Sequence, residues 1–141
     1  MATPSVEDRL MINDLFVRYT TALDAGDVET IVGCFTEDGV LESPAVGVYS
    51  GQQGIREFAE RFSRFQERGS QLRHFISNLA AQVEGDAAHA TCYLLTVITQ
   101  NGKTDLLPPG RYDCRLEKIG GQWLFKHRLV VLDGEVNLDG I

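Results

Sequence analysis

Apolar positions recur at three- and four-residue steps early in the chain: Ile12, Leu15, Phe16, Tyr19, Ala22 and Leu23. That spacing makes one apolar stripe and predicts a helix from about Val6 to Asp24. Ser5 and Asp8 have capping-box spacing, and Gly26 suits a left-handed stop. Asp27 then opens a short helix with Ile31, Val32 and Phe35 turned inward. A third helix, roughly Gln52 to Glu67, carries Ile55, Phe58, Ala59, Phe62 and Phe65 on one face, and Ser50 stands where it can cap it. Between the second and third helices, "GVLESP" and "GVYSG" predict two short strands around Pro44.

After "RGS" the period changes from helical to extended. "LRHFISNLAAQV" predicts a long strand, "EGDA" a turn and "HATCYLLTVITQ" a second strand. "NGKTDLLPPG" is expected to be a loop. "RYDCRLEKI" and "QWLFKHRLVVL" predict a hairpin around Gly120-Gly121. Helices first and long antiparallel strands afterwards define an α+β class, with helices packed on one face of a curved, mainly antiparallel sheet. Such a sheet against a long helix leaves a conical space suited to an apolar ligand pocket. Residues 1–141 are expected to form a single domain, and the 43% apolar content is enough for a core.

The formal net charge of −7, without any basic run, argues against nucleic acid and anionic membranes as partners. "MATPSVEDRL" has no apolar leader core, and "LVVL" is too short to span a bilayer, so a cytoplasmic protein is expected. Cys34, Cys92 and Cys114 form no CxxC and are odd in number, which predicts reduced, buried thiols. GxGxxG, Walker A and HExxH patterns do not occur. "GVYSG" misses the GxSxG nucleophile elbow because its serine comes one place late. His74, His89 and His127 lie on separate segments without metal-ligand spacing. Neither a cofactor nor a metal is expected.

Asp24 is the awkward residue. It falls at the C-terminal end of the first helix, where the macrodipole disfavours a negative charge. His74 begins the first long strand. Alternation puts His74, Ile76 and Asn78 on one face and Arg73, Phe75 and Ser77 on the other, and periodicity leaves open which looks inward. If His74 is inward, its ring needs a partner in an apolar pocket. Asp24 could accept from Nδ1–H, fix the tautomer and leave Nε2 as a base. The same residue types also suit a solvated aspartate and a structural histidine. Asn78 could bond a ligand or satisfy backbone groups, and Arg111 could clamp a carboxylate or lie on the surface. Trp123 and Phe125 read as core, and His127 shares their nominal face.

Taken together, "YTTALDAGDVETIVGCFTEDGVLESP", "GQQGIREFAERF", "RHFISN", "VEGDAAHATCYLL" and "GRYDCRLEKIGGQWLFKHRLVVLD" resemble the SnoaL-like branch of the NTF2-like superfamily of cone-shaped, cystatin-like domains. The resemblance implies a cofactor-independent lyase or isomerase, of dehydratase or cyclase type, acting on a small hydrophobic cyclic substrate. In the superfamily, scytalone dehydratase, bile-acid 7α-dehydratase and hexachlorocyclohexane dehydrochlorinase use an Asp–His pair, and Asp24 and His74 fall on those positions. Tyr19 and Tyr49 match pocket tyrosines, and Arg128 matches a recurring arginine of the last strand. The strand aspartate of the SnoaL cyclases and the oxyanion donors of ketosteroid isomerases have no evident counterpart. Tyr93 or Thr91 fall near a second histidine of scytalone dehydratase. The superfamily also holds non-catalytic small-molecule-binding domains and the small subunits of ring-hydroxylating dioxygenases. A homodimer or homotrimer through the uncovered sheet face is expected.

Overall fold

The computed structural model describes residues 2–136; the ends of the expected domain, Met1 and residues 137–141, lie outside the described residues. Among the described residues three helices, α1 (Val6–Ala25), α2 (Val28–Gly33) and α3 (Gly51–Glu67), accompany seven strands. The strands are β1 (Phe35–Ser43), β2 (Gly47–Ser50), β3 (Ser70–Glu84), β4 (Ala87–Gln100), β5 (Lys103–Leu106), β6 (Gly110–Ile119) and β7 (Gln122–Leu132). They form one sheet in the order β2-β1-β7-β6-β4-β3, with β5 added on β4. Neighbours are antiparallel except β1 and β7, which run parallel.

Local chemistry sets the helix ends. Ser5 Oγ accepts from the Asp8 amide at 3.1 Å, supplying one of the acceptors that the first turn lacks. At the other end Gly26 adopts φ 69°, and the Asp27 amide donates to the Ala22 carbonyl at 2.9 Å. Only a residue at ease in left-handed backbone closes a helix in this way. The Asp27 carboxylate then accepts from the Thr30 amide and opens α2. Ser50 occupies the N-cap position of α3, but its side chain makes no capping bond. The apolar stripes of α1 and α3 face the sheet, where Phe16, Tyr19, Phe35 and Phe125 meet as a cluster of rings 5.3–5.7 Å apart.

Four expectations change. Phe35 belongs to β1, which starts four residues before the expected Gly39. The expected loop after β4 contains β5, paired with β4. Its turn is Asn101-Gly102, both at positive φ (52° and 76°), the residue pair that two-residue hairpins favour. The third change is a bulge between Ser77 and Ala80, with Asn78 at φ 56°. It breaks the alternation, so Asn78 does not share the inward face of His74 and is exposed. The fourth is a register shift on β7, where Arg115 pairs with His127 but Leu116 pairs with Phe125. Lys126 is the extra residue. His127 is thereby turned to the outer face, where its ring meets Glu42 at 2.8 Å, and Arg128 is turned inward.

Candidate active site

A cavity opens between α1, α3 and the concave side of the sheet, with about 590 Å³ of empty space in it and at its mouth. Its walls are mostly apolar. Leu23 comes from α1, Phe58 and Phe62 from α3, and Leu72 and Leu94 from the sheet. Val46, Leu107 and Pro108 stand at the ends of connecting turns and border the same space. The polar groups on the lining are few: Tyr19, Ser43, His74, Thr96, Tyr112 and Arg128.

Asp24 reaches His74 across fifty positions of sequence. Its Oδ1 lies 2.6 Å from His74 Nδ1, and its Oδ2 accepts the His74 backbone amide at 3.1 Å. Both oxygens are therefore committed to one residue. An ionised carboxylate can only accept, so Nδ1 carries a proton, and in the neutral ring that leaves the lone pair on Nε2. The side chains are 7% (His74) and 13% (Asp24) exposed, and His74 lines the cavity.

Two glutamines relieve the unfavourable end of α1. Gln66 Nε2 donates to the Leu23 carbonyl at 2.6 Å, and Gln71 Nε2 donates to the Asp24 carbonyl at 2.8 Å. The Asp24 carbonyl is thereby bonded to β3, and the Leu23 carbonyl, which also accepts from the Gly26 amide at 3.2 Å, to α3. The same bonds fasten the helix end to the strand that carries His74. Sequence reading passed over Gln66 and Gln71, because a helix's last carbonyls give no signal about which distant amide serves them.

Tyr19 is buried, and its hydroxyl has no hydrogen-bond partner among the described residues. Burial pushes its pKa well up, so it stays a neutral phenol able to donate. Arg128 is 2% exposed, with its guanidinium carbon 3.6 Å from the Tyr112 ring centre and 4.2 Å from that of Tyr19. Burial also pushes Tyr112 up to about 12, with the Arg128 charge opposing. Tyr112 and Thr96 were missed from the sequence. Thr96 pairs directly across from His74, which only the β3–β4 register reveals.

Other expected site residues lie elsewhere. Tyr49 is not on the cavity lining. Its ring packs on Phe58 at 5.5 Å, its hydroxyl donates to the Val46 carbonyl at 3.2 Å, and it accepts from Arg61. It thus braces the β1–β2 turn at the mouth. Asn78 sits on its bulge, outside the lining. Tyr93 and Thr91 alternate with the buried residues of β4 and point to its other face, as does the exposed Arg111 on β6. The cysteines are free and buried, and burial holds Cys92 up at about 11 and Cys114 at about 12, which removes them as nucleophiles. Among the described residues no three His, Cys, Asp or Glu side chains gather as a metal site, and no helix is long and apolar enough to cross a membrane.

The SnoaL-like domain family matches residues 4–129, and the chain belongs to that family. It matches no curated protein sequence. Among solved structures it is similar to a Mycobacterium tuberculosis protein of unknown function, at 31% identity over 92% of this chain and 73% of that one, with a TM-score of 0.81. A Nostoc punctiforme protein of unknown function with a cystatin-like fold is 25% identical over 98% of this chain and 99% of its own, with a TM-score of 0.79. A provisionally named scytalone dehydratase from Novosphingobium aromaticivorans superposes with a TM-score of 0.80 over 96% of this chain and 95% of that one, at 21% identity, a likeness of fold.

Proposed function

We propose that the protein is a cofactor-independent lyase or isomerase that removes a proton from a carbon acid in a small, hydrophobic, cyclic substrate. The observation that carries this reading is the double use of Asp24 on His74. A carboxylate bound to both Nδ1 and the backbone amide of the same residue fixes the ring's tautomer and its position together. Nε2 is then the base. It takes the proton, the C–H electron pair passes into an adjacent carbonyl as an enolate, and Asp24 stabilises the imidazolium. The imidazolium returns the proton either to a departing hydroxyl, which leaves as water, or to another carbon. Tyr19 and Arg128 hold the polar end of the substrate, and the apolar walls exclude water from the base.

The test is hydrogen–deuterium exchange by NMR in D2O on a panel of enolisable cyclic ketones and β-hydroxyketones. His74→Gln should slow exchange by ~10²–10⁴-fold, the usual worth of a positioned base, with the folded signature unchanged. Equal exchange by both proteins would overturn the base role and leave a small-molecule-binding domain, the second reading. Self-association through the outer sheet face belongs to the same proposal. Phe75 and Tyr93 are exposed on that face, more than half of each in solvent.

A further inference from the structure

The guanidinium of Arg128 sets a narrower demand on the ligand than a merely apolar cavity does. It is buried, it lines the cavity, and its Nε and Nη2 have no hydrogen-bond partner among the described residues. Arginine stays protonated in proteins, so this is a buried positive charge. The Tyr112 and Tyr19 rings lie against it and supply cation–π attraction. Rings of that kind satisfy no N–H group. The two unsatisfied nitrogens are adjacent on one edge of the planar fork, with parallel N–H bonds. That edge matches the two oxygens of a carboxylate, and Lys or a single hydroxyl would not reproduce it. Among the other polar groups lining the cavity, Tyr19 is a neutral donor with a hydroxyl that is also unpartnered. Among the described residues every unsatisfied buried polar atom at this end of the cavity can donate, and no acidic side chain is paired with the charge.

From this we infer that the ligand is an anion: an apolar ring bearing a carboxylate that docks on the Nε/Nη2 edge of Arg128, with the Tyr19 hydroxyl as an additional donor. The inference rests on reading this cavity as the ligand site, and not on proton abstraction by His74. It deepens the proposed function by naming the group that orients the substrate. A neutral ligand could accept from these donors but would leave the buried cation without a counter-charge, which is costly in a dry cavity.

The experiment measures binding of matched pairs by calorimetry and thermal shift, with no turnover required. The probes are benzoate, cyclohexanecarboxylate and 2-naphthoate, each against its carboxamide. At least one carboxylate should bind the wild-type protein roughly 10- to 100-fold more tightly than its amide, as expected for charge-assisted bonds. Arg128→Met should erase that preference, and Arg128→Lys, which keeps the charge but loses the fork, should recover only part of it. A wild-type preference for the carboxylates, found together with equal exchange by the wild-type protein and His74→Gln, would uphold this inference while the base reading fails. Amides binding as well as acids across the panel, no binding by any of the three acids, or a preference that survives Arg128→Met would overturn it.

Discussion

Asp24→Asn is expected to lower turnover by about 10³–10⁴-fold while leaving the fold in place, close to the loss seen when the aspartate of a hydrolase triad is amidated. The reason lies in counting acceptors. Asp24 accepts twice, from the His74 ring and from the His74 amide. Asparagine has one carbonyl oxygen and one NH2. If the oxygen takes the backbone amide, which must donate, the NH2 faces Nδ1. The ring proton then moves to Nε2, and the base is lost in the cavity. If the oxygen takes Nδ1–H instead, two donors collide at the His74 amide and an unsatisfied buried group costs about 1–3 kcal/mol. Either orientation defeats the arrangement. Exchange kinetics on the substrate found with His74→Gln, together with a urea titration, separate the outcomes. A variant within a few-fold of wild type would mean that Asp24 does not set the tautomer.

The largest effect on stability is expected at Gly110→Ala. Gly110 begins β6, opposite Leu94 on one side and Leu132 on the other. A Cβ there would fall 2.0 Å from the Val131 carbonyl oxygen, 2.9 Å from Leu132 Cα and 3.0 Å from the Val131 carbonyl carbon. All three are backbone atoms, so no side chain can swing away. The strand ends must separate, and the loss should reach about 3 kcal/mol or more, at or above the usual range for overpacking. Pro108 and Leu132 line the cavity mouth, so ligand binding should weaken as well. Gly33→Ala is the control. Nothing lies within 4 Å of its added Cβ and its φ is ordinary, so it should be neutral or stabilise by up to about 1 kcal/mol. Equal urea midpoints for the two variants would contradict this account of the β6–β7 junction.

The helices were legible because their information is local. A stripe such as Ile55, Phe58, Ala59, Phe62 and Phe65 has one geometric meaning, and helix ends are marked by the side chains of Ser5 and Asp27 and the left-handed backbone of Gly26. The long strands were legible as strands, but not always by face. Asn78 and Lys126 each add one residue at a bulge, and a one-residue slip moves the following side chains to the opposite surface. That is why Asn78 parts from the face of His74 and His127 from that of Trp123 and Phe125, and why Arg128 needed a structure to place its side chain. Thr96 and Tyr112 were missed for a related reason: membership of the cavity depends on pairing across strands, which no window of sequence records. Asn101-Gly102 was the opposite case, a local signal of a hairpin that reading the segment as a proline-bearing loop obscured. Asp24 and His74 could be named from their chemistry, yet solvated and structural roles fitted equally well. What rules out the solvated aspartate is a contact across fifty positions, supported by Gln66 and Gln71.

The account depends on where one proton sits, and long-range ¹H–¹⁵N NMR of His74 at neutral pH reads this directly. The expected spectrum has a protonated Nδ1 with its proton far downfield, held by Asp24, and an unprotonated Nε2; Asp24→Asn should reverse the two nitrogens. A neutral ring protonated on Nε2 in the wild-type protein, or one averaging between tautomers, would contradict it.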